Sequence, residues 1–131
     1  MVLGLHAVNL ANKWLDMLGG TAFTAPTASA LRLHTGDPGA AGTSALSAEA
    51  TRKAMTWGVA VTGVKAVTAT FPTWAWAAGS ETISHGAVWD SVTTGAGSFL
   101  YSFVFTTPKP VTNGDTLNLT AHSFTLTPLA A

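Results

Sequence analysis

With 131 residues the chain has the length of one domain and enough of it to bury a core. It contains no cysteine, which excludes disulfides, thiolate metal sites and thiol catalysis. Only 9% of its residues are charged, with six basic against six acidic, so it lacks the clustered cations that grip nucleic acid, and a surface this neutral favours association with other protein.

Residues 3–18 read as the single helix. Leu3, Ala7, Leu10, Ala11, Trp14, Met17 and Leu18 recur at steps of three and four and form one apolar stripe, with Asn9, Asn12, Lys13 and Asp16 mostly opposite. Gly19-Gly20 ends it. The stripe suits either a sheet of the same chain or a partner subunit. No basic segment precedes the apolar start and no apolar run reaches about 18 residues, so neither a signal peptide nor a transmembrane helix is expected.

From residue 21 onward Thr, Val, Phe and Trp dominate, and strands are expected near 27–34, 53–61, 64–71, 82–90, 98–106 and 116–127. In 99–105 the aromatics Phe99, Tyr101, Phe103 and Phe105 share a face, with Leu100 and Val104 behind them. The run 116–127 switches its buried face near Ala121, as a bulge allows. Thr62-Gly63 marks a tight hairpin, Asn113-Gly114-Asp115 a turn, Thr93 to Gly97 a flexible loop, and Pro108-Lys109-Pro110 an extended connector. The fold class is mainly β: an antiparallel β-sandwich or barrel-like domain over 21–131, with one short N-terminal α-helix, in one domain of 1–131.

The motif search yields corners rather than chemistry. Asp37-Pro38-Gly39-Ala40 fits a type II turn, entered through Gly36, with positive φ at Gly39 and the Asp37 carboxylate accepting from nearby backbone N–H groups. His34 and Asp37 have no nucleophile marked beside them, and the glycines lack the Lys-Ser/Thr ending of a phosphate loop. His6, His34, His85 and His122 show no metal-ligand spacing, and Asp16, Asp37, Glu49, Glu81, Asp90 and Asp115 form no calcium loop. No catalytic, cofactor-binding or metal residue is assigned, and no cofactor is expected. Asp90 is expected to cap a turn, and Arg52 and Lys53 to pair with a carboxylate or a neighbouring subunit. Trp57 and Trp89 read as core. Trp74 and Trp76, two apart in FPTWAWAAG, share a face that is either a core layer or an exposed binding patch. The candidate partner contacts are therefore Leu3, Leu10 and Trp14 on the helix, together with Trp74 and Trp76.

The stretches ALRLHTGDPGAAGT, ATRKAMTWGVA and TFPTWAWAAGSETISHGAVWDSVTTGAGSFL resemble a set of small virion proteins of tailed bacteriophages, frequent in phages of actinobacteria. The likeness rests on the turn Leu33 to Gly39, the strand Arg52 to Trp57, Phe71-Pro72 and the segment Thr82 to Asp90. PTWAWAAGSE is bulkier than the corresponding stretch of that family. The resemblance implies a structural, non-enzymatic role in the virion, with assembly in the host cytoplasm. The reading it favours is a capsid decoration protein bound to the major capsid protein, as a homo-oligomer for which a trimer is one option, with no nucleic-acid or membrane partner. The alternative is a minor tail or tail-fibre protein that contacts host-surface glycans through the paired tryptophans. An enzyme such as a wall hydrolase has no motif behind it.

Overall fold

The computed structural model describes residues 4–68, 71–77 and 79–126. Its main sheet is antiparallel. It holds β1 (Gly4–Leu5), β7 (Phe99–Thr112), β6 (Ser80–Trp89), β2 (Ala30–His34) and β3 (Lys53–Ala54), in that spatial order. Two short antiparallel pairs form the opposing layer: β4 (Val64–Ala66) with β9 (Ser123–Thr125), and β5 (Thr73–Ala75) with β8 (Thr116–Asn118). The result is the expected mainly β, sandwich-like arrangement with one short N-terminal helix.

β2 has both edges paired, by β6 and β3, and both faces covered: Leu31 and Leu33 enter the main core while Ala30 and His34, at the alternate positions, are equally buried, so ALRLH reads as a nearly continuous buried run. Register assigns the faces. Leu31 pairs with Val88 and Val88 with Tyr101; Leu33 pairs with Gly86 and Gly86 with Phe103. Those rows, with Met55 just beyond β3, meet Val67, Trp74, Trp76 and Leu119 of the other layer in one large core. Full burial of a Leu or Val side chain stabilises by about 1.5–3 kcal/mol. Gly86 must be glycine here: a Cβ on it would stand 2.7 Å from Phe103 Cζ and 2.8 Å from Leu31 Cδ1. The opposite face of the sheet carries a smaller cluster of Ala87, Trp89 and Phe99.

The N-terminal helix departs from the expected 3–18. Gly4 and Leu5 instead pair as β1 with Ser102 and Tyr101. A π-helical turn then covers Ala7–Ala11, and α1 runs from Asn12 to Leu18. His6 starts it, its Nδ1 accepting from the Asn9 N–H at 3.1 Å. The wide turn shifts the phase of the stripe. Asn9 turns inward and donates through Nδ2 to the Phe99 carbonyl, while Met17 and Leu18 are exposed. A pattern read at 3.6 residues per turn misses such a shift.

The strands fall in the expected regions, but β3 (Lys53–Ala54) and β4 (Val64–Ala66) are far shorter than the expected 53–61 and 64–71, and two further corrections concern β5 and β7. β5 was not expected as a strand. Pro108-Lys109-Pro110 is no connector but part of β7, with Lys109 opposite Ile83 and Pro110 opposite Thr82. A proline is accepted in a ladder whose missing N–H points away from the partner strand. β7 reaches this register through a wide irregularity between Ile83 and His85, where Phe105 to Pro108 bulge against Ser84. The expected Thr62-Gly63 hairpin is present, with positive φ at both residues (48° and 78°), as a type I′ turn requires. The break near Ala121 is also present, as the gap between β8 and β9.

Candidate functional site

The corner at 36–39 is built much as its residues suggest. Gly39 has φ of 71°, and its N–H donates to Asp37 Oδ1 at 2.9 Å. Pro38 is buried, and its carbonyl accepts from Ser44 N at 2.9 Å. The closing backbone bond runs from Gly42 N to the Gly39 carbonyl, so the tight turn spans 39–42, two residues later than expected. His34 does not face a nucleophile. Its ring Nδ1 donates to the Ser44 carbonyl at 2.8 Å. Directly across the ladder stands His85, whose Nδ1 contacts Ser84 Oγ at 2.7 Å. Burial lowers the His34 pKa, helped by the charges of Arg32 and His85 and opposed by the Ser44 bond. This pair is a structural polar layer. Among the described residues no three metal-ligating side chains converge.

Arg52 was expected at a carboxylate or a neighbouring subunit and is found buried within its own chain. Its Nη1 donates to the carbonyls of Ser91, Thr93 and Ala96 at 3.3, 3.0 and 2.6 Å, and its guanidinium lies over Trp89. The loop expected to be flexible is thereby tied down. Asp90 caps it as expected, accepting from Ser98 N at 2.6 Å.

The candidate partner contacts fare unevenly. Trp74 and Trp76 do share a face, but that face is the core: they are 1% and 3% exposed, so they form no exposed binding patch. Pairing of β5 with β8 turns them inward, and Trp74 Nε1 donates to the Thr51 carbonyl at 2.9 Å, which satisfies its one polar atom. Leu10 is buried in the same core, and Trp14 is half-buried edge-on against Phe124. Leu3 lies outside the described residues. The exposed apolar side chains of the helical segment are instead Val8, Leu15, Met17 and Leu18.

A groove missed by sequence reasoning runs between the second half of β7 and residues 117–123. It consists of two cavities of about 410 and 360 Å³ that share Phe105, Thr106 and Ala121. Leu33, Trp74 and Ile83 floor the larger one, while Thr106, Thr107, Lys109, Asn118 and Thr120 form its rim. His122 lines the smaller one, stacked on Phe103 at 4.1 Å and joined to the Tyr101 hydroxyl at 2.9 Å. Burial holds His122 down at a pKa of about 4 and pushes Tyr101 up, so both are neutral near pH 7. Among the described residues neither cavity is lined by a carboxylate. The groove came from the β7 irregularity and the gap between β8 and β9, and only the expected break near Ala121 hinted at it.

No curated protein matches the chain. A family model described as Podophage GP4 fiber I protein gp80 matches residues 7–127. That span takes in the helix, every strand after β1, the corner and the groove, so the likeness is to the whole fold rather than to a motif. The chain belongs to the podophage fibre I protein gp80 family, whose members are phage virion structural proteins.

Proposed function

We propose that the protein is a subunit of a virion fibre, attached to another virion protein through the outer face of its N-terminal helix and holding its β domain away from the particle. The observation that carries this is the helical segment itself: Val8, Leu15 and Leu18 are 66%, 64% and 82% exposed, while Leu10 and Trp14 tie the segment to the β domain. Several large apolar side chains exposed on one short segment, on a chain with so little charge, support an interaction surface there. The fibre description of the family supports the tail-fibre alternative over decoration of the capsid lattice.

The test is a reconstruction of intact particles alongside a Leu15→Glu, Leu18→Glu variant. The reading expects density for the chain on an appendage and loss of the variant from particles. Ordered copies across the capsid lattice would return the protein to decoration.

A further inference from the structure

We propose that the groove between β7 and residues 117–123 is a binding site for a neutral oligosaccharide, an inference that rests on the fibre reading because a fibre subunit is carried outside the particle, where it meets the cell surface. A sugar ring offers an apolar C–H face and a rim of hydroxyls, and the groove offers the counterpart of each. Phe105 is half-buried and lines both cavities, which puts an aromatic ring at their junction. The rim is Thr106, Thr107 and Thr120 with the amide of Asn118. A hydroxyl or an amide both donates and accepts, so such a rim matches hydroxyls whichever way their protons point. The threonines are β-branched and stiff at χ1, so little side-chain freedom is lost when they are engaged.

Charge narrows the ligand. Among the described residues Lys109 is the one charged side chain lining either cavity, so the groove neither repels a neutral sugar nor pairs with a cation. The same lining offers no pair of carboxylates of the kind glycoside cleavage uses, so the proposal is one of binding. A purely apolar ligand would leave the hydroxyl rim unused. The volumes, about 410 and 360 Å³, fall within the range of roughly 300–1,000 Å³ typical of small-ligand sites, and their end-to-end placement suits a short linear chain.

The experiment titrates the purified protein with short neutral oligosaccharides released from the envelope of a bacterium to which the phage adsorbs, reading amide and indole shifts by NMR. The expected result is saturable shifts at Phe105, Asn118, Thr120 and the Trp74 indole. Phe105→Ala and Asn118→Ala should each weaken binding about tenfold or more with the fold intact. Asn118, being exposed, keeps the test valid if Phe105→Ala loosens the fold. Absence of shifts at saturating sugar overturns the proposal, as does a particle reconstruction with another polypeptide lying in the groove. Both outcomes leave the fibre reading standing if the chain is found on an appendage. Absence of the chain from particles overturns the two together.

Discussion

The guanidinium of Arg52 lies over the indole of Trp89, its Cζ 3.9 Å from the ring centroid, while the same side chain closes three carbonyls of the loop beyond β6. One buried cation thus joins the smaller cluster of the sheet to the 91–96 loop. Its charge is met by carbonyl dipoles and a π face, with the Asp90 charge also acting on it. Arg52→Ala should lower unfolding free energy by about 3 kcal/mol, since it removes charged hydrogen bonds and leaves buried acceptors behind. Urea denaturation measures the loss, and amide exchange should rise first at 93–97. Arg52→Lys should recover only part, because a point charge cannot reach three carbonyls and stack at once. A change under about 0.5 kcal/mol for the alanine variant would refute the clamp.

Trp74 behaves as a keystone and not as a receptor-binding residue. Trp74→Ala is expected to cost about 3–5 kcal/mol in stability, and Trp74→Phe about 1 kcal/mol through the lost bond to the Thr51 carbonyl. Thermal melts of both variants check this. Full stability of Trp74→Ala would place the indole outside the core.

The folded-state pKa of His122, about 4, sits below the ordinary 6.5. Between those values the unfolded chain takes up a proton that the folded chain refuses. Stability is therefore whole above pH 6.5 and falls as the pH descends toward 4. Tyr101 acts at the other end: its pKa is raised above the usual 10.0, so stability is present below pH 10 and declines as the pH rises past it. Unfolding midpoints across this range, compared with His122→Gln, should show the acid slope flatten in the variant. An unchanged slope would assign the acid sensitivity elsewhere, with His34 the next group to replace.

Gly42 combines φ of 69° with a packing limit, since a Cβ there would lie 2.6 Å from Phe99 Cδ2. Gly42→Ala should cost roughly 1–3 kcal/mol beyond the left-handed penalty alone. Gly95→Ala is the control: its φ is 86° and a Cβ meets nothing within 4 Å. Equal midpoints for the two variants would mean that the 39–42 turn does not press on Phe99.

Leu15→Glu and Leu18→Glu should change stability by no more than about 0.5 kcal/mol, because both side chains are exposed. Particle incorporation should nevertheless drop severalfold. Normal incorporation would move the attachment surface off the helix.

Much of the fold was legible because period and punctuation are local. The Tyr101, Phe103 and Phe105 row of β7, the Thr62-Gly63 hairpin and the Asp37 to Gly39 corner each carry their own turn or face signal, whereas Phe99, expected in the same row, packs in the smaller cluster with Trp89 because the register shifts beside it. What was not legible depends on long-range pairing. Nothing near Trp74 shows that β8 will pair with β5 and roll both indoles inward. Nothing beside Arg52 shows that its acceptors lie some forty residues away. Pro108 and Pro110 argue locally against a strand, and only the position of β7 in the sheet makes them acceptable. The groove arises from two irregularities far apart in the chain, so its lining was beyond a pattern search.

Pro108 and Pro110 have one more effect, which concerns crowding. Neither has an N–H to offer a further strand, and β1 reaches only Tyr101 and Ser102 of β7 among the described residues. A strand arriving there from a neighbouring molecule finds donors missing at alternate positions and the charge of Lys109 between them. A second copy of the chain meeting this stretch is thus kept from zipping onto it edge to edge, and any contact there is left to the side chains.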